Sequence, residues 1–125
     1  KPNRAEAERA TGIDIVDQKT ALEAAKKLRE QWTADMMMVT LGEDGLVLVS
    51  DEHREGLFLK TVAKSVYDVS GAGDTVTAVF AAALGAGKPV SVAGELANIA
   101  AGIVVSEVGT VPITREKLLN FLNEL

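Results

Sequence analysis

The stretch "DVSGAGDT", Asp68–Thr75, decides how the chain is interpreted. Two glycines and an alanine stand between its two acids, and the apolar, helix-forming run 76–84 follows directly. A glycine-rich turn that enters a helix presents free backbone N–H groups, and the helix dipole adds positive potential at the same place. Such a turn favours an anion. The carboxylate of Asp74 would repel that anion unless it acts on a proton or a metal.

Three known kinds of turn offer alternatives for this stretch. A P-loop is excluded because no lysine follows the glycines. A dinucleotide fingerprint is disfavoured because Val76 stands where its third glycine belongs and Asp68 interrupts the preceding apolar run. A plain tight turn would explain the glycines, and the helix dipole would explain Asp74. A turn that holds a transferring phosphoryl group, with Asp74 as the base for an attacking hydroxyl, explains both together.

Composition restricts the class of protein. With 125 residues, 47% hydrophobic and 25% charged, the chain is typical of a soluble globular domain with its own core. A net charge of −5 argues against nucleic acid as a partner. The absence of cysteine fits a reducing compartment and excludes thiolate metal sites. Because no signal peptide or membrane-length apolar run is visible, we expect a cytoplasmic protein without a membrane partner.

Apolar periodicity predicts an α/β order of two helices, three strands and three helices. Asn3 is expected to cap the first helix and Gly12 to end it. The second helix, 19–32, is amphipathic, with Trp32 at the edge of the core. The predicted strands, which are joined by tight turns, are 36–41, 46–50 and 56–62. The segments 75–87 and 93–109, rich in small residues, predict helices buried on several sides, and Thr114 is expected to cap the last helix.

The central turn resembles the signature Asp-x-x-Gly-Ala-Gly-Asp of the ribokinase-like (PfkB) carbohydrate kinases. Three other segments match family motifs in the family's order: "NRAE" at Asn3–Glu6, "TLGEDG" at Thr40–Gly45, and "ANIAAGIVVSEVGT" at 97–110. The resemblance implies a layered α/β ribokinase-like fold, a mostly parallel sheet flanked by helices on both faces. Residues 1–125 would form its C-terminal half, the nucleotide-binding and catalytic part.

The resemblance also implies catalytic and nucleotide-binding roles. Asp74 would deprotonate the sugar hydroxyl, with ATP as the phosphoryl donor. The backbone N–H groups that form an anion hole for the γ-phosphoryl group would come from Gly71, Ala72 and Gly73. The residues that would contact the nucleotide are Thr40, Gly42, Gly45 and Asn98, the last of them beside the adenosine.

Two cation sites are implied by the same resemblance. Asn3 and Glu6 would hold hydrated Mg²⁺, although the same pair serves as cap and first-turn acid in ordinary helices. A monovalent-cation site found in many members, for which K⁺ is the candidate ion, would be formed by Asp68, the carbonyl of Ser70 and the loop at Gly109.

Within the family, the stretch 66–76 and the last motif are most similar to the heptose 7-phosphate kinases of lipopolysaccharide core synthesis. This implies phosphorylation of O1 of D-glycero-D-manno-heptose 7-phosphate, giving the 1,7-bisphosphate. The sugar-binding residues and the lid strands, through which a homodimer would form, are expected upstream of Lys1. The alternatives are another family member (a fructokinase, ribokinase or nucleoside kinase) or a nucleotide-binding module without catalysis. Asp74 argues against the last of these.

Overall fold

The computed structural model describes every residue from Lys1 to Leu125. Its elements in chain order are α1 (Arg4–Thr11), α2 (Gln18–Gln31), β1 (Met37–Thr40), β2 (Leu46–Val49), β3 (Leu57–Leu59), α3 (Ala72–Gly85), α4 (Val90–Val105) and α5 (Arg115–Asn123). The predicted order of two helices, three strands and three helices is therefore confirmed. The chain divides into two compact units, Lys1–Lys60 and Thr61–Leu125.

Helix α1 begins and ends where the sequence predicts. The side chain of Asn3 accepts a hydrogen bond from the Glu6 backbone N–H at 2.9 Å, and the Glu6 carboxylate accepts one from the Asn3 N–H at 2.8 Å. This capping box gives partners to two N–H groups that the helix itself leaves unpaired. Gly12 ends the helix in the left-handed conformation, with φ 72°.

Helix α2 supplies much of the core of the first unit. Asp17 caps it by accepting a hydrogen bond from the Thr20 N–H at 2.8 Å. Its buried face consists of Ala21, Ala24, Ala25 and Leu28, which belong to one apolar cluster with residues of β1 and β2. The prediction that Trp32 lies at the core edge is wrong, since this residue is 53% exposed. The helix ends at Gln31, so Trp32 lies in the cap turn, beyond the buried stripe.

The three strands form a sheet of order β1-β2-β3 in which both pairs are antiparallel. The turn between β1 and β2 is too short for parallel pairing, which needs a crossover of about a dozen residues or more. The resemblance implies mostly parallel strands, and this sheet does not contain them. The parallel pairing in the structure is an isolated bridge between Asn3 and Thr40. Val39, Val47 and Leu48 are fully buried, and Val39 and Val47 belong to the apolar cluster that includes α2.

The second unit is built around α4, whose buried residues include Ala93, Ala97 and Ala100. Gly102 allows a close approach, because a Cβ there would lie 2.5 Å from Cγ2 of Val62. Burial on several sides is thus confirmed for α4. It is wrong for α3, which pairs with α4 but buries only Val76 and Ala83.

Helix α5 is capped as predicted. The hydroxyl of Thr114 accepts a hydrogen bond from the Lys117 N–H at 3.2 Å, and the helix packs against α4. None of the helices in the chain combines the length and the apolar character that crossing a bilayer would require.

Candidate active site

The glycine turn ahead of α3 depends on Gly71. This residue is the N-cap of α3 and has a left-handed backbone, with φ 80° and ψ −4°. A Cβ at Gly71 would also lie 3.1 Å from Cγ2 of Thr110. Gly73 lies inside the first helical turn and is not among the residues with positive φ. The special backbone of the turn is therefore located at Gly71, two residues earlier than the glycine next to Asp74.

The N–H groups available at this helix end differ from those predicted. The Ala72 N–H donates a hydrogen bond to the Val69 carbonyl at 3.2 Å, which closes a four-residue turn. The Ala72 N–H, which the resemblance places in the anion hole, therefore has a partner within the turn. No side chain caps the helix, and the first helical bond runs from the Thr75 N–H to the Gly71 carbonyl at 3.0 Å. The N–H groups left for an anion are those of Gly71, Gly73 and Asp74.

Asp74 is the third residue of α3 and is exposed. Its carboxylate lies in the first helical turn, where the dipole favours a negative charge. Its own N–H belongs to the free set, so this residue presents both a donor and a carboxylate at one helix end. The N–H of Asp74 is not among the groups that the sequence predicts for the anion hole. Counting the N–H groups from the N-cap Gly71 through the first three helical residues would have included it.

The segment before the turn is fixed to the end of α4. The Tyr67 and Asp68 N–H groups donate hydrogen bonds to the Val105 carbonyl at 2.8 Å and 3.4 Å. One carboxylate oxygen of Asp68 accepts a hydrogen bond from the Ser70 N–H at 2.8 Å. This bond to Ser70 holds the pKa of Asp68 below its usual value.

The residues predicted for a monovalent cation lie around the same turn. The Asp68 carboxylate lies beside Ser70, and no backbone N–H donates to the Ser70 carbonyl. Gly109 has φ 84°, and its neighbour Thr110 faces Gly71. The oxygen donors that the resemblance implies for K⁺ are thus present in this loop cluster.

The other predicted phosphate-contacting residues lie in the first unit, at the end of β1. The Thr40 N–H donates a hydrogen bond to the Pro2 carbonyl at 3.1 Å, beside the parallel bridge to Asn3. Gly42 has φ 63°, and no atom would meet a Cβ there within 4 Å. Gly45 is required by packing, because a Cβ would overlap the carbonyl of Leu59. This stretch is therefore a hairpin turn in its own right.

Asn3 and Glu6 suit magnesium only through water. Their reciprocal capping bonds occupy the Asn3 amide oxygen and one oxygen of the Glu6 carboxylate, and both residues are exposed. No cluster of three or more His, Asp or Glu residues exists for direct ligation. Mg²⁺ keeps several of its waters and binds through one or two carboxylates, so the free oxygen of Glu6 fits such an ion.

Asn98 lies in α4 and is only 8% exposed. A buried amide costs stability unless it is paired. No buried side-chain polar atom in the structure lacks a hydrogen-bond partner, and Asn98 is not without a partner. Asn98 belongs to the second unit, whereas Thr40, Gly42 and Gly45 belong to the first.

Comparison with known sequences agrees with the motifs. Residues 1–117 match the model of the pfkB family of carbohydrate kinases. The chain is 44% identical over 117 residues to the bifunctional protein HldE of Desulfatibacillum aliphaticivorans, and 45% identical to that of Syntrophotalea carbinolica. In both cases 94% of the chain is covered. The chain spans only about a quarter of the length of these relatives.

Comparison with solved structures confirms the layered ribokinase-like fold. Arabidopsis thaliana ribokinase, complexed with ribose and ATP, has a TM-score of 0.84 and 30% identity over 97% of this chain and 39% of its own. Thermotoga maritima ribokinase has a TM-score of 0.82 and 27% identity over 98% of this chain and 41% of its own. The family model matches nearly the whole chain, and the solved structures agree with that match. The chain therefore belongs to the pfkB family of carbohydrate kinases.

Proposed function

We propose that the chain is the nucleotide-binding and catalytic part of an ATP-dependent carbohydrate kinase. The observation that carries this proposal is the helix end at Gly71–Asp74, where free N–H groups and an exposed carboxylate stand within one turn. Free N–H groups at a helix N-terminus suit a phosphoryl group, and a carboxylate nearby suits a hydroxyl that must lose its proton.

In the proposed reaction, the sugar hydroxyl gives its proton to the Asp74 carboxylate while its oxygen attacks the γ-phosphorus of ATP. The bond from that phosphorus to the β,γ-bridging oxygen breaks, and ADP leaves. The N–H groups of Gly71, Gly73 and Asp74 stabilise the negative charge on the transferring group. Bound magnesium, held through water by Asn3 and Glu6, would neutralise charge on the phosphates. Asp68, the Ser70 carbonyl and the loop at Gly109 would hold K⁺, whose charge would add to the positive potential near the turn.

We infer that the acceptor is a heptose 7-phosphate, phosphorylated at O1 for lipopolysaccharide core synthesis. Two observations support this acceptor: the stretch 66–76 resembles heptose 7-phosphate kinases, and the HldE proteins are more similar to this chain than the ribokinases are. The full polypeptide would supply the sugar-binding residues outside these 125. The alternative acceptors are those of ribokinases, fructokinases and nucleoside kinases.

The test uses the full-length protein with ATP, Mg²⁺ and a panel of acceptors: heptose 7-phosphate, fructose, ribose and adenosine. We expect heptose 7-phosphate to have the highest kcat/KM. In Asp74→Asn the general base is lost, so kcat should fall by at least about 100-fold, while KM for ATP changes little. The matched control is Asp14→Asn, which removes another exposed aspartate and should leave kcat unchanged.

Three results would count against parts of this proposal. A loss of kcat below about tenfold in Asp74→Asn would remove this residue from the mechanism. A higher kcat/KM for another acceptor would replace the heptose assignment and leave the kinase intact. Nucleotide binding without transfer to any acceptor would favour a binding module.

A further inference from the structure

Ser106 joins the end of α4 to the segment that leads into the catalytic turn. It is the C-cap residue of α4, and its hydroxyl lies 2.7 Å from the Gly102 carbonyl and 3.0 Å from the Ser65 carbonyl. A hydroxyl has one hydrogen to donate, and both carbonyls can share it. Ser65 is 41 residues away in sequence, so this contact is tertiary and does not belong to the helix alone.

The neighbouring contact strengthens the same connection. Val105 is the last residue of α4, so its carbonyl has no N–H donor within the helix. It accepts hydrogen bonds from the Tyr67 and Asp68 N–H groups instead. Asp68 then holds the Ser70 N–H, and Ser70 precedes Gly71 directly. A continuous series of hydrogen bonds therefore runs from the end of α4 through residues 65–68 to the glycine turn.

We propose that Ser106 is a positioning residue for phosphoryl transfer, acting through the segment 65–70 on the N–H groups of Gly71, Gly73 and Asp74. This inference rests on the proposed kinase function. Transition-state stabilisation depends on donors fixed in place before the reaction, so a looser segment should reduce kcat more than it weakens ATP binding. Ser65 is exposed, and water can replace part of the lost hydrogen bond.

The experiment compares Ser106→Ala with Ser106→Thr, which keeps the hydroxyl, in the full-length kinase. We expect kcat per active site to fall roughly threefold to tenfold in Ser106→Ala, with KM for ATP within about twofold of the original value. Ser106→Thr should retain kcat within about twofold. In nucleotide-free protein, amide hydrogen exchange at residues 67–71 should be faster in Ser106→Ala and unchanged in Ser106→Thr.

Thr11→Val is the matched control, because the Thr11 hydroxyl also donates to the carbonyl four residues earlier, Ala7, at 2.7 Å, near the end of another helix. It should lower the unfolding temperature and leave kcat per active site unchanged. Equal losses of kcat in Ser106→Ala and Thr11→Val would show a general structural effect and overturn the proposal. Equal losses in both Ser106 variants, or unchanged kcat and exchange in Ser106→Ala, would overturn it too.

The two proposals fail in different ways. If the original protein transfers phosphate to no acceptor, the kinase function fails, and the exchange comparison alone decides the role of Ser106. Faster exchange in Ser106→Ala alone would then support the role of Ser106 in fixing the segment before the turn. Unchanged exchange would overturn that role.

Discussion

Gly71 has φ 80°, in the left-handed region, whereas Gly73 lies inside α3 without a positive φ. A side chain at φ 80° meets its own backbone, which costs roughly 1–2 kcal/mol for a non-glycine residue. A Cβ at Gly71 would also press on Thr110 at 3.1 Å. At a helical position the preference is reversed, because alanine is more favourable than glycine there.

We therefore expect opposite effects on stability from two small substitutions in the turn. Gly71→Ala should lower the free energy of unfolding by roughly 1–2 kcal/mol, and Gly73→Ala should leave it unchanged or raise it by up to about 1 kcal/mol. Urea denaturation of both variants beside the original protein measures the difference. Equal destabilisation by the two substitutions would contradict the assignment of the left-handed position to Gly71.

The turn also shows what could be predicted at the level of single residues. The sequence predicts the glycine turn, the helix after it and the first-turn aspartate, because these follow from local backbone preferences. It does not predict that the Ala72 N–H bonds to Val69, since this depends on how the turn closes. The attachment to Val105 and Ser106 has no local signal either, because it joins residues far apart in the sequence.

At the level of elements, the start of α1 combines two roles in one pair of residues. The capping box between Asn3 and Glu6 stabilises the helix whether or not magnesium is bound. One oxygen of the Glu6 carboxylate accepts the Asn3 N–H, and the other remains for the hydration shell of an ion. The structural and the metal-binding interpretation of this motif are therefore compatible, and substitution can separate them.

Glu6→Gln makes this separation. Glutamine preserves a capping box, so the unfolding temperature should change little. The charge that would attract hydrated magnesium is lost, so the Mg²⁺ concentration for half-maximal activity of the full-length kinase should rise by roughly tenfold. Asn3→Ala is the comparison, because it removes the cap and should destabilise the protein by about 1 kcal/mol. An unchanged Mg²⁺ requirement in Glu6→Gln would limit this residue to capping.

Element types and caps were predictable, and the pairing of the strands was not. Asn3, Gly12 and Thr114 act at helix ends as expected, because caps depend on a few neighbouring atoms. The resemblance implies a mostly parallel sheet, a property of a whole fold, whereas β1–β3 are joined by short connections that require antiparallel pairing. Trp32 was misplaced because its burial depends on where α2 ends relative to its neighbours.

At the scale of the whole molecule, the chain is acidic, and a few of its carboxylates accept hydrogen bonds that lower their pKa. The net charge is −5, and three aspartates have a lowered pKa: Asp17, Asp51 and Asp68. For Asp17 and Asp68 the cause is a backbone hydrogen bond, from Thr20 and Ser70 respectively. For Asp51 it is the hydrogen bond from Arg29 at 2.7 Å. These groups lie in both compact units.

Their titration predicts how stability depends on pH. A carboxyl whose pKa is lower in the folded state than the unfolded value of 3.8 binds fewer protons when folded, so its stabilising contribution is present above that value. It is lost as the pH falls through the lower, folded pKa. The midpoint of urea unfolding should therefore decrease as the pH is lowered from about 4 toward 2.

Asp17→Asn tests this dependence at one site. Asparagine caps a helix about as well as aspartate but does not titrate, so the cap of α2 should persist at low pH. We expect the variant to have a smaller decrease in urea midpoint between pH 4 and pH 2 than the original protein, with similar midpoints near pH 7. Asp17→Ala, which removes the cap, should instead be less stable than Asp17→Asn at every pH. Parallel curves for Asp17→Asn and the original protein would show that the Asp17–Thr20 bond contributes nothing to acid sensitivity.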